Sequence, residues 1–402
     1  MNLRFRARRS SVLGAVVTIA AVVLAACGGS ESGSGGSGEP IKVGGMLSYT
    51  AAGSNSGPAV EAGAKARFAQ FNESGGIGGH QVEFVTTDDA LDPAKAPAAM
   101  RTLVESDEVV ATLGLGSADS AAVQPYLTQN SILSLAGGSS TPLIEAADSP
   151  FRLDKPAYDE LAGRVVEYAV KTLGKTKIAV AYTPDAVGLP IKDGVERQLR
   201  EMGMTPVAEV EYSATATNAD AQAAQLKDSG AEFVMINHVP SVMAKIFNSA
   251  ERIGFKPDYG ATFAGATPSL PQIMGEALAD RIYFGTSFIL PDSAEAADFR
   301  RYVEAQNGDI HDINTMIGWT NADAVAAVLQ KAVTDNGGSL PTAAQVLAAG
   351  SDIEIDTAYI RDLTWTGTDR TGPDGSSISK LGPGGSYVEA DAFKPNPFVS
   401  GA

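Results

Sequence analysis

The chain is poor in the residues that build covalent and metal-bound scaffolds. Its 402 residues include one cysteine, three histidines and two tryptophans. The single cysteine, Cys27, excludes an intrachain disulfide, so apolar burial must hold the folded part together. His80, His238 and His311 contain no i, i+4 pair that would put two imidazoles on one helix face for zinc. Basic residues are also in deficit, with 30 Lys and Arg against 47 Asp and Glu and a net charge of −17. That balance repels phosphate backbones and lacks the basic footprint of a nucleic-acid binder. After Ala26 no apolar stretch approaches the roughly 20 residues that cross a bilayer. Nucleotide and hydrolase signatures are missing as well. There is no G-x-x-x-x-G-K-[ST] loop, no G-x-G-x-x-G opening a helix after the first strand, and no G-x-S-x-G in the folded body. The sequence therefore implies no cofactor, no metal and no catalytic nucleophile.

The amino end is where the cysteine acquires meaning. Arg4, Arg6, Arg8 and Arg9 precede an uncharged, largely apolar run from Val12 to Ala26, and Leu24-Ala25-Ala26-Cys27 closes it. This is a basic region, a short apolar region and a small-residue cleavage site, the order of an export signal. An ordinary secretory signal needs no cysteine there. The four residues resemble the lipobox of bacterial lipoproteins, whose thiol accepts a diacylglyceryl group before cleavage leaves it as the first residue. The reading predicts a signal segment over 1–26, lipid at Cys27, and residence on the extracytoplasmic face of the cell membrane. Cleavage would remove four arginines and no acid, moving the net charge from −17 to −21. Residues 27–40 then form a flexible tether, because GGSESGSGGSGEP offers no apolar side chain to pack.

From Ile41 the pattern becomes regular. The apolar run Ile41–Leu47 predicts a buried strand. Pro58 opens a helix with Val60, Ala64, Phe68 and Phe71 at helical spacing, ending near Gly75-Gly76. The same strand–helix unit recurs through Val82–Thr86, Val109–Leu115 and Ile132–Leu135, then through Ile178–Tyr182, Pro206–Val210 and Phe233–Asn237. Strands near Ala261 and Ile282 and helices over Ala294–Ala305 and Trp319–Val333 follow. Such alternation predicts an α/β fold with parallel sheets covered on both faces, and too many units for one ordinary sheet. Two doubly wound lobes fit. Asp369–Gly385, rich in Gly, Pro and Ser, is expected to be irregular loop.

Two loops have a chemical reading. Ser117 follows a strand and precedes a helix, and Ser139, Ser140 and Thr141 occupy the same place in the next unit. Ligands of open α/β sheets bind beyond the carboxyl ends of strands, where helix N-termini offer free N–H groups to a carboxylate. Gly116, Gly137 and Gly138 would let the backbone approach closely. Each serine alone reads equally as a helix N-cap. Asp88-Asp89 reads as turn formation and capping by short acidic side chains.

Gly75-Gly76-Ile77-Gly78-Gly79, then Val82–Val85, then Asp88-Asp89-Ala90-Leu91-Asp92-Pro93, resembles the leucine/isoleucine/valine-binding proteins, the substrate-binding subunits of branched-chain amino acid ABC transporters. The likeness runs from Ile41 to roughly Val333. It implies a type I periplasmic binding protein, with three hinge crossings near Lys155, Ser287 and Leu363. Lobe 1 would comprise 41–155 with 288–362, and lobe 2 would comprise 156–287 with 363–402. It implies a carboxylate site on lobe 1 at Ser117 with Ala118 and at Gly138 with Ser139 or Ser140. The lobe 2 positions that hold an ammonium in the family correspond here to Val187, His238 and Thr267. Ala264–Leu270 contains no acid, so the resemblance points to a carboxylate ligand lacking an ammonium, or one held by hydroxyls and water. Tyr49 would stack on or bond to the ligand, and Trp319 would be a wall or a core anchor. Implied partners are an ABC permease with its ATPase, and the membrane through the lipid. The same fold serves sensors that report to a membrane receptor or kinase, and an exported enzyme is the remaining alternative.

Overall fold

The computed structural model describes residues 38–50, 56–139, 143–266, 270–274, 278, 280–382 and 386–398. Cys27, Ser140, Thr141 and Thr267 lie outside the described residues.

The first sheet contains β1 (Ile41–Leu47), β2 (Val82–Asp88), β3 (Ala111–Leu115), β4 (Leu133–Ala136) and the two-residue β5 (Phe151–Arg152). Their order is β2-β1-β3-β4-β5, and every pairing is parallel. The second sheet begins with β6 (Ile178–Tyr182), β7 (Ala208–Glu211), β8 (Phe233–Ile236), β9 (Asp258–Thr262) and β10 (Ile282–Thr286). A short antiparallel ribbon of β11 (Ile353–Ile355) and β12 (Leu363–Trp365) stands apart. The chain then returns to the second sheet through β13 (Gly375–Leu381) and β14 (Tyr387–Pro395), giving the order β14-β13-β10-β9-β8-β6-β7.

β13 corrects the sequence reading of Asp369–Gly385 as loop. β13 pairs antiparallel with β10 and with β14, so the second sheet is mixed at this edge. Its serines are tolerated in a buried strand because tertiary partners satisfy them. Ser376 Oγ donates to Asn396 Oδ1 at 2.6 Å and Ser377 Oγ donates to the Thr286 carbonyl at 3.0 Å. The Phe393 ring occupies the space a side chain on Gly375 would need.

The helices are α1 (Ser56–Glu73), α2 (Ala96–Arg101, extended by a wider π turn over Thr102–Ser106), α3 (Ser117–Asn130), α4 (Tyr158–Lys171), α5 (Gly188–Glu201), α6 (Asp220–Asp228) and α7 (Pro240–Arg252). Then come α8 (Leu270–Met274), α9 (Ala297–Ala305), α10 (Ile313–Asp335) and α11 (Ala343–Ala349). Helices cover both faces of both sheets, which is why β6 and β8 read as unbroken apolar runs. The turn Gly75–Gly79 has φ of +98°, +81°, +60° and +90° at Gly75, Gly76, Gly78 and Gly79, conformations that side chains resist. α10 is buried nearly all round and belongs to two cores. Its Ala322–Val333 half packs on the first sheet, and its Met316–Trp319 turn joins α4 and α9. Trp319 is a core anchor there, edge-on to Phe299 at 5.4 Å and Tyr359 at 5.1 Å.

Candidate functional site

A doubly wound sheet opens a crevice where strand order reverses, at the carboxyl ends of the two strands flanking the reversal. In the first sheet that point lies between β1 and β3, and in the second between β6 and β8. The loops after these four strands carry Tyr49, Ser117 and Ala118, Val187, and His238. Gly138 and Ser139 follow β4, the neighbour of β3. The topology thus sets all the described sequence-nominated residues at the carboxyl ends of the two sheets.

On the first sheet, short polar side chains build the rim. Ser48 Oγ donates to Asp89 Oδ1 at 2.6 Å, and the Tyr49 amide donates to Asp88 Oδ1 at 2.9 Å. The Ala90 and Leu91 amides return to Asp88 and Asp89 two residues back, the local turns expected of this pair. The Thr50 hydroxyl and the Tyr49 amide hold the Asp88 carboxyl below the usual range. Tyr49 is committed elsewhere: its hydroxyl donates to Glu61 Oε2 at 2.8 Å, and burial pushes the phenol up. Gly116 caps α3 in extended backbone, φ −67° and ψ 155°, so Ser117 and Ala118 are its first helical residues. Ser139 is fully buried. Its carbonyl accepts the Tyr158 amide at 3.0 Å, while its Oγ has no partner among the described residues.

On the second sheet, Asp185 organises the loop after β6. The amides of Val187 and Gly188 and the hydroxyl of Thr183 all donate to its Oδ1, at 3.0, 2.9 and 2.9 Å. His238 Nδ1 accepts the Val239 amide, which leaves Nε2 3.4 Å from Asp185 Oδ2. Burial alone would raise the Asp185 carboxyl, but His238 and these donors hold it well below its ordinary value. Val187 and His238 are therefore drawn together around one structural carboxylate.

Two residues that sequence reasoning missed stand at the same strand ends. Asn237 follows β8; its Oδ1 accepts both the amide and the hydroxyl of Thr262 at 2.9 Å, leaving a buried Nδ2 without an acceptor among the described residues. Asp119, in the first turn of α3, is fully buried, and among the described residues its carboxyl meets the Asp89 carboxyl and no amide, hydroxyl or cation. Burial and the neighbouring Asp89 push its carboxyl up to about 7. An acid two residues past Ser117, in the first turn of a helix at a strand end, was the available signal.

The two strand ends converge on Lys155, Tyr158 and Phe263. Lys155 Nζ donates to the carbonyl of Ala136, the last residue of β4, at 2.9 Å and lies 5.9 Å from the Phe263 ring that follows β9. Tyr158, bonded to the Ser139 carbonyl, stacks on the same ring with centroids 5.7 Å apart. Behind Phe263 a cavity of about 20 Å³, walled by Phe284, Phe288, Met316 and Tyr387, has room for a single water. Among the described residues no group of three or more His, Cys, Asp or Glu could hold a metal ion, and no helix is long and apolar enough to cross a membrane.

Comparison with known proteins places this geometry. A family model described as "Periplasmic binding protein" matches residues 40–385. An "Amino acid binding protein" of Pseudomonas aeruginosa is 26% identical over 188 residues, 46% of this chain and 50% of the relative. A "Leu/Ile/Val-binding protein" of Escherichia coli is 24% identical over 232 residues, 56% of this chain and 63% of the relative. The alignments thus span about half to two thirds of these relatives' lengths. A branched-chain amino acid ABC transporter protein of Thermus thermophilus with bound valine superposes with a TM-score of 0.79 at 18% identity, covering 89% of this chain and 97% of that one. At that identity the superposition speaks for the fold alone.

Proposed function

This chain belongs to the periplasmic binding protein family, and we propose that it is the extracytoplasmic solute-binding component of an ABC transporter. It binds rather than transforms. The solute is a small carboxylate-bearing molecule, a branched-chain amino acid or a related aliphatic or aromatic acid, taken up between two lobes and delivered to a permease driven by its ATPase. The lobes are 41–155 with 288–362 and 156–287 with 363–402, and lipid on Cys27 tethers them to the membrane. One observation carries the reading. Buried polar groups with no partner among the described residues, Ser139 Oγ and Asn237 Nδ2, stand at carboxyl ends of strands in the two different sheets. A buried donor without an acceptor is costly, by about 1–3 kcal/mol, and a ligand carboxylate relieves that cost. The α3 N-terminus adds free amides and a partial positive charge.

The test is a thermal-shift screen of the soluble body, beginning at Glu39, against amino acids, aliphatic acids, aromatic acids and their amides. A ligand at 100 times its Kd adds about 2.7 kcal/mol of stability. Stabilisation by one group of carboxylates and not by the matching amides is expected. Stabilisation by neutral sugars or nucleosides instead would overturn the assignment.

A further inference from the structure

We propose that Leu91, Val187, Leu189 and Val239 form an apolar clamp on the solute's hydrocarbon end, so that the transported class is carboxylic acids without an ammonium group, alkanoates and arylalkanoates rather than amino acids. This rests on the solute-binding reading above and names its substrate class.

A lone exposed apolar side chain is ordinary, whereas several gathered at one place mark a contact surface. Leu91, Leu189 and Val239 are 44%, 45% and 41% exposed, and all three stand at carboxyl ends of strands. Leu91 Cδ2 lies 3.5 Å from the place a side chain on Gly116 would take, so Leu91 flanks the entrance of α3 on the first sheet. Leu189 and Val239 follow β6 and β8, the two strands at the reversal of the second sheet.

Hydrogen bonds gather the second-sheet members around one centre. The Leu189 amide donates to the Asp185 carbonyl at 3.1 Å, and the amide of half-buried Val187 donates to Asp185 Oδ1 at 3.0 Å. Across the reversal, His238 Nε2 lies 3.4 Å from Asp185 Oδ2, and the Val239 amide donates to His238 Nδ1 at 2.8 Å. The polar groups are thus turned on one another and the apolar side chains are left facing outward. Asp185 accepts two amides and a hydroxyl and faces the imidazole, and both nitrogens of His238 are engaged.

The same count tells against an ammonium. Asn237 Nδ2, left over at the end of β8, is a donor and cannot accept one. Ala264–Leu270 after β9 carries no acid. On the first sheet Asp88 accepts the Tyr49 and Ala90 amides and the Thr50 hydroxyl, while Asp89 accepts Ser48 and Leu91 and faces Asp119. A cation would compete for carboxyls already engaged, whereas hydrocarbon covers side chains that gain by leaving water. With the carboxylate at the α3 entrance, the hydrocarbon end meets Leu91 on one sheet and Leu189 and Val239 on the other.

The experiment is calorimetry at pH 7 on the soluble body. Matched probes are leucine with 4-methylpentanoate, valine with 3-methylbutanoate, and phenylalanine with 3-phenylpropanoate; a linear series runs from propanoate to heptanoate. We expect at least one deaminated acid to bind at least about tenfold more tightly than its amino acid. Affinity in the linear series should rise about fourfold per added methylene until the clamp is filled. The double variant Leu189→Ser, Val239→Ser should cut that step below about twofold and leave propanoate binding as it was. Both side chains are exposed, so the variant should keep its thermal stability; should it not fold, Leu91→Ser on the other sheet carries the same test. An amino acid that binds as tightly as its deaminated partner, or an unchanged methylene step in the variant, overturns the clamp and leaves the solute-binding reading standing. Failure of every carboxylate to bind removes both.

Discussion

Asn321 on α10 donates from Nδ2 to Asp154 Oδ2 at 2.8 Å, in a place where neither residue reaches solvent. The other oxygen of Asp154 faces the fully buried Lys155 ammonium at 2.5 Å. The pair sits on the segment that leaves the first sheet for α4, so α10 is stitched to the chain at that point by charge as well as packing. Asp154→Ala strips a buried ammonium of its counter-charge. The expected loss is about 3–5 kcal/mol in urea denaturation. Lys331→Ala, which removes an exposed i, i+4 pair with Asp335, is expected to cost under about 0.5 kcal/mol. Equal effects of the two substitutions would refute the account.

Helices α1 and α10 cross at glycines. A methyl group on Gly63 would fall 1.9 Å from the Thr315 carbonyl oxygen, and one on Gly318 would fall 2.0 Å from that of Val60. Backbone cannot step aside cheaply, so Gly63→Ala and Gly318→Ala are each expected to destabilise by at least about 1–3 kcal/mol. Gly367→Ala, where nothing lies within 4 Å, is the control and should be near neutral. Thermal unfolding of the three variants checks it.

Asp119 makes stability depend on pH. Its folded-state carboxyl, raised to about 7 from 3.8, binds a proton more tightly than the unfolded chain does. Its contribution is therefore full below about pH 4 and is lost as pH rises towards 7, because the unfolded state then releases the proton more readily. On the order of 1–3 kcal/mol is at stake. Asp119→Asn should flatten this slope and be at least as stable as the parent at pH 8. A parent curve with no extra loss between pH 4 and 7 would contradict the raised carboxyl.

Arg152 is buried with no acidic partner among the described residues and spends its guanidinium on oxygens. It donates to the carbonyls of Gly350, Ser149 and Phe151 at 2.9, 3.0 and 2.8 Å and to Ser351 Oγ at 3.1 Å. Burial and nearby Arg370 push the group down to about 10. Arg152→Met leaves those carbonyls dry, and a loss of about 2–4 kcal/mol is expected. Arg152→Lys should recover little, since one ammonium cannot span acceptors on both sides of the fork. Full rescue by lysine in denaturant titration would count against this.

Much of the fold was legible because it is local. Ile41–Leu47 reads as a strand from composition alone, the glycines of 75–79 announce left-handed backbone, and Asp88-Asp89 fold back on their own following amides. β13 was not legible. Its serines look like loop until Asn396 and Thr286, 20 and 91 residues away, accept their hydroxyls. The site divides the same way. Its loops follow from strand–helix alternation, whereas Asp119 and Asn237 gain interest only because other partners are denied to them.

The sequence by itself determined the alternating elements, the acidic surface and the lone cysteine behind an apolar run, since each depends on neighbours a few residues apart. Only the tertiary structure decided which polar groups are used up and which are left over. Asp89 is half consumed by Ser48, 41 residues away, and Asn237 by Thr262, 25 residues away, while Asp119 is left facing the carboxyl of Asp89. Composition makes a chain acidic, but burial and long-range hydrogen bonds choose which carboxyls are satisfied, because desolvation acts on a group in its place.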